Sequence, residues 1–242
     1  PVSLRRRLLP MALLALCLGV AAVAWLARPE PPPAPHTAQR LVAAARQVAA
    51  RDPQGWGGLE PLSPAELAAA SFHVPLPGTP VVVAPQGLVV DGRPRTRWGG
   101  VPVLTTVEIR MCGASGTPCW TRSAQGGVLD YPPEEPELAP GMHEIALKLQ
   151  LEGRTVTQSF EVATSSRRQS LAAATAAVNA HAPRDLQPLL RGHAAARLGF
   201  LLEAEACAQE ALSLHPRNTA ALELLRYVHA SLGETEGWRP QR

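Results

Sequence analysis

The sequence predicts an α+β chain in several parts: an amino-terminal transmembrane helix, a small antiparallel β-sandwich and a carboxy-terminal all-α module of helical hairpins. Three observations carry this. Residues 8–27 form an apolar run without a charge, residues 79–163 alternate apolar and polar side chains in short runs, and from residue 165 onward the apolar period becomes helical. The division that follows is 1–7 basic end, 8–27 anchor, 28–78 proline-rich spacer with short helices, 79–163 sandwich, 164–235 helical module and 236–242 tail.

Arg5, Arg6 and Arg7 precede the run "LLPMALLALCLGVAAVAWLA". At ~1.5 Å per residue a helix of that length crosses the ~30 Å hydrocarbon layer. Positive charge on its short side places the amino end in the cytoplasm and the bulk of the chain in the periplasm, on a single-pass bacterial inner-membrane anchor. "AVA" at 22–24 offers a signal-peptidase pattern, but Trp25, Leu26 and Ala27 continue the apolar run, which favours an anchor that stays attached. Cys17 follows Leu16 where a lipidated cysteine needs a small residue, so a lipoprotein is excluded. Pro1 fits either a removed initiator methionine or a longer chain.

Net charge is only +3 over 242 residues, and the arginines are scattered, with Lys148 the single lysine. No basic stripe forms, so nucleic acid is not an expected partner. Chemistry is equally sparse. The seven histidines never fall at i and i+4, no phosphate loop or dinucleotide fingerprint occurs, and "GASG" at 113–116 lacks the strand–turn–helix setting of a nucleophile elbow. Glu134, Glu135 and Glu137 sit among prolines and read as a solvated loop. No catalytic residue, metal site or cofactor is expected, and no small-molecule substrate is evident.

After the anchor, "RPEPPPAP" reads as a semi-rigid spacer. "TAQRLVAAARQVAARDP" reads as a short helix with Leu41, Val42, Ala45 and Val48 on one side and Thr37 as cap. "SPAEL" at 63–67 has the signature of a helix start, with Ser63 capping, Pro64 first and Glu66 third. Beyond it, "PVVVAP" and "GLVVDG" are short β-branched runs, and "TTVEIRMC" puts Val107, Ile109 and Met111 on one face. "HEIALKLQL" turns Ile145, Leu147, Leu149 and Leu151 inward, and Glu152-Gly153 leads into "RTVTQSFEV", with Val156, Phe160 and Val162 facing the core. Six or seven such strands argue for a sandwich.

Trp98 ahead of "VEIRM", "LAPG" at 138–141 before "HEIALKL", and the closing "FEV" resemble the immunoglobulin-like and fibronectin type III-like sandwiches of extracytoplasmic bacterial proteins. The resemblance implies a tryptophan packed between sheets and a proline-glycine turn into a strand. It implies architecture and not activity. Cell-wall or carbohydrate binding through Trp98 or Trp120 is a weaker alternative, because both tryptophans read as core.

Candidate helices cover 167–180, 184–197, 201–214 and 219–232. Gly192, Ala204, Ala211 and Pro216 recur at intervals that resemble the tetratricopeptide repeat, with "SLHPRN" at its turn and "NTAALELLRYVHASLG" as the first half of a following unit. Arg191, Ala195 and Ala208 stand where that family carries large residues, so the core is thinned and needs neighbours. By that resemblance the first helix of each pair lines a partner-binding groove, which points to His193 and Arg197 on one helix and Glu223 and Tyr227 on the next. The alternative is that these four are ordinary solvated residues.

Cys112 and Cys119 flank a glycine-, serine- and proline-bearing tip and read as a disulfide in an oxidising compartment, contributing about 2–3 kcal/mol. Their spacing is unlike C-x-x-C, and no histidine lies near enough to complete a zinc site. Cys207, among alanines, reads as a small buried residue. The sequence thus points to a membrane-anchored interaction protein of the cell envelope: a scaffold, assembly factor or sensor that binds protein partners. The alternatives are an anti-sigma-type membrane regulator whose cytoplasmic part precedes Pro1, and a thiol-redox protein using Cys112 and Cys119.

Overall fold

A computed structural model describes residues 37–70, 80–113, 119–150 and 153–232. The expected anchor and spacer start lie outside these residues. Among those described, no helix is long and apolar enough to cross a membrane. Among the described residues the chain is α+β, with three α-helices, then strands, then four α-helices.

The first helices are α1 (Thr37–Arg51), α2 (Pro53–Trp56) and α3 (Pro64–Ala69). On α1 the stripe Leu41, Ala44, Ala45 and Val48 is buried, while Val42 stays 39% exposed, one position off the expected face. Asp52 caps α2 by accepting the Gly55 N–H at 2.7 Å. Gly57 and Gly58 then take positive φ, +62° and +72°, which ends the helix where a side chain would be strained. At α3 the expected capping box is complete: Ser63 Oγ accepts the Glu66 N–H, and the Glu66 carboxylate accepts the Ser63 N–H at 2.7 Å.

Eight strands follow among the described residues: β1 (Val81–Ala84), β2 (Gly87–Val89), β3 (Thr96–Gly99), β4 (Val107–Cys112), β5 (Trp120–Ala124), β6 (Val128–Leu129), β7 (Gly141–Leu149) and β8 (Thr155–Val162). They form a three-stranded sheet, β1-β3-β6, and a five-stranded sheet, β2-β8-β7-β4-β5. The antiparallel expectation holds for every pairing but one, since β2 runs parallel to β8. The chain changes sheet between β1 and β2 across the cis Ala84–Pro85 bond, which brings an early strand beside the last one.

Both sheets contribute to one core. Val107, Ile109, Met111, Ile145 and Leu147 are fully buried, and Trp98, Trp120 and Phe160 join them. The alternation of β4 and β7 is therefore a true inside–outside pattern, with Ile109 paired to Leu147 across the ladder. Trp120 meets Tyr131 edge to face at 5.5 Å.

The last helices are α4 (Ser165–His181), α5 (Gln187–Arg197, after a 3₁₀ turn at Arg184–Leu186), α6 (Leu201–Leu214) and α7 (Thr219–Ser231). Thr164 caps α4 and Asn218 caps α7 through side-chain oxygens. Their core is not theirs alone. Leu41, Val48, Trp56, Leu62 and Leu67 lie in the same buried cluster as Leu189, Leu190, Phe200 and Leu224. Residues 37–69, read from sequence as a spacer with short helices, are thus part of the helical body, because they supply the apolar surface its alanine-rich helices lack.

Candidate functional site

The site is built around α5. Gly192 faces inward on it: a Cβ there would lie 2.7 Å from Leu224 Cδ2 on α7 and 3.2 Å from Cys207 Cβ on α6. Ala204, Ala208 and Ala211 of α6 are buried to 3% exposure or less, so α5, α6 and α7 close on one another through small residues. Cys207 is half-buried in this contact, and burial pushes its thiol up to about 11. It is a packing residue held as a thiol.

One residue beyond Gly192, His193 turns to the side facing the amino-terminal helices. It is 1% exposed, and its Nδ1 accepts the Leu62 N–H at 3.0 Å. Arg197, one turn later, donates from Nε to the Glu60 carbonyl at 2.9 Å and from Nη2 to the Pro61 carbonyl at 3.3 Å. The same guanidinium grips the Glu66 carboxylate, with Nη2 to Oε2 at 2.8 Å. Residues 59–63 are therefore strapped to α5 mainly through their own backbone, with Leu62 buried beneath and Glu66 at the end.

The charges follow from this packing. The Arg197 hydrogen bond, aided by the two from Ser63, holds the Glu66 carboxyl down to about 2. Burial, with the nearby Arg197 charge, lowers His193 to about 4, so it is neutral near pH 7.

Of the four groove residues expected from sequence, the structure places His193, which is buried, and Arg197, which is exposed, together on the side of α5 that meets the strap. They face the chain's own strap, because the amino-terminal segment packs onto α5. Glu223 is exposed on α7 and Tyr227 is half-buried against the helical core. Glu223 and His193 do share one feature, a cavity of about 360 Å³ between α1, the strap and α7. Its walls include Leu41, Ala45, Trp56, Leu59 and Leu67. The sequence marked α5 and α7 but not α1 or Trp56. The signal available for them was the apolar stripe of α1, which needed a partner somewhere in the chain.

Cys112 and Cys119 are joined, with Cα atoms 4.2 Å apart. The bond closes the tip between β4 and β5, half-buried at Cys112 and exposed at Cys119. Glu134 and Glu135 both pair with Arg122 at the surface. Among the described residues, no three His, Cys, Asp or Glu side chains are grouped to hold a metal ion. Comparison with family models, with curated proteins and with solved structures finds no match to this chain.

Proposed function

We propose that the chain is a membrane-anchored, extracytoplasmic protein–protein interaction protein, a scaffold, assembly factor or envelope sensor that works by binding rather than by catalysis. The observation that carries this reading is the grip of α5 on residues 59–63. One arginine and one histidine hold a non-helical segment by two carbonyls and one amide, as a helical groove holds a peptide.

Two finer readings of the fold support it. The strand that changes sheets and pairs parallel with the last strand fits an immunoglobulin-like sandwich. The close approach at Gly192, with Ala204, Ala208 and Ala211 buried opposite, fits a tetratricopeptide-like hairpin. An inner-membrane position rests on residues 5–27, and the Cys112–Cys119 bond suits an oxidising compartment.

The test is photo-cross-linking of the whole protein in the membrane fraction, with the reactive group at position 223 or, as a control, at exposed Thr121 on the sheet. A discrete protein adduct from position 223 and none from 121 is expected. No adduct from either position would remove the reading. The exposed sulfur of the disulfide favours one rival, a thiol-redox role. Titration against graded dithiol buffers separates the two, since a bridge that cycles readily at mild potential argues redox and one that resists argues structure.

A further inference from the structure

We propose that the cavity beside the strap is a binding site for a small neutral amphiphile, an apolar chain or ring that carries one uncharged carbonyl acceptor for the Nε2–H of His193.

The cavity has the size of a ligand pocket, about 360 Å³, against roughly 300–1,000 Å³ for such sites. Its lining is largely apolar, with Leu41, Val42, Ala45, Trp56, Leu59 and Ala220 drawn from several elements of one chain. His193 is the buried polar side chain in that wall. Its Nδ1 is committed as acceptor to the Leu62 N–H, which puts the proton of a neutral imidazole on Nε2. Nε2 is buried and has no hydrogen-bond partner. Protein interiors seldom leave such a donor unmet.

Charge decides what acceptor suits it. The cavity's charged lining consists of Arg46, Glu60 and Glu223, all exposed, and the nearby Arg197 is already paired with Glu66. One cation against two anions gives a carboxylate no net attraction, so a ketone, ester or amide carbonyl is favoured over an acid. The inference does not depend on partner binding, because the ligand is titrated into the protein alone, although Glu223 lines the same cavity.

The experiment titrates the full-length protein with 2-undecanone, undecane and decanoate. Binding is followed by the tryptophan emission lost in a Trp56→Phe control and by the ring ¹H–¹⁵N signal of His193. Saturable binding of the ketone is expected, about tenfold tighter than the alkane, as one buried hydrogen bond would give. The Nε2–H resonance should shift with the ketone alone. Ala220→Trp, at a half-buried wall position, should abolish binding while the circular dichroism spectrum is kept. Equal affinity for ketone and alkane, unchanged binding in Ala220→Trp, or tightest binding by decanoate would each overturn the proposal.

Discussion

His193 stays neutral in the fold because burial strips the water that would solvate its charge, and Arg197 adds repulsion. The unfolded chain therefore takes up this proton first. As pH falls through the ordinary 6.5, stability declines, and the loss levels off below about 4, where the folded state also binds the proton. A shift of that size corresponds to roughly 3 kcal/mol. Glu66, lowered to about 2, works in a lower window: its contribution is present above the ordinary 4.5 and disappears as pH falls toward 2. Urea unfolding at pH 7, 5 and 4 should show the first loss in the native protein and not in His193→Gln. A parallel loss in both would place it elsewhere. The sequence singled out His193 as a groove or solvated residue, and its burial was not legible. What lies against it was not legible, because Leu62 is 131 residues away in the chain.

Between helices, the tightest point is Gly192. An alanine there gains about 1 kcal/mol of helix propensity but must push Leu224 and Cys207 apart, and overpacking costs about 1–3 kcal/mol. Gly192→Ala should thus lose about 1 kcal/mol net by chemical denaturation, and Gly192→Leu several times more. A stabilised Gly192→Ala would show that the three helices do not meet there. Elements that advertise themselves locally were readable from sequence: the long strands β4, β7 and β8 by alternation, the carboxy-terminal helices by period and by the breaks between them. Those that do not were missed. β6 has only two residues, and β3, "TRWG", is too short and too polar for a two-residue period to register. Similarly, nothing in the β-branched run of β2 distinguishes a parallel neighbour from an antiparallel one.

For the molecule as a whole, a largely buried ion pair ties sheet to helix. Arg97 on β3 meets Glu205 on α6 through two hydrogen bonds, at 2.6 and 3.2 Å, with the glutamate side chain only 5% exposed. Burial alone would raise the Glu205 carboxyl, but His229, with Nε2 at 3.7 Å, and the Arg97 hydrogen bonds outweigh it and hold it low. Glu205→Ala should cost about 2–4 kcal/mol, and the paired change of Arg97 and Glu205 to methionine should recover most of it. If the double variant is no better than the single one, the pair is not what Glu205 supplies. Leu88 of β2, buried in the helical core, and Leu202 of α6, packed on the sheet core, add apolar contacts between sheet and helices.

The helical body is assembled from two stretches, 37–69 and 165–232, with the sheets between them. On the ribosome, α1 emerges long before α7, and at ~5–20 residues per second the interval is on the order of ten seconds or more. Through that wait the stripe of Leu41, Ala44, Ala45 and Val48 lacks much of the helical core that buries it in the fold. For the same reason a chain shortened near residue 166 would keep that stripe permanently uncovered, and would report aggregation rather than the loss of a binding surface.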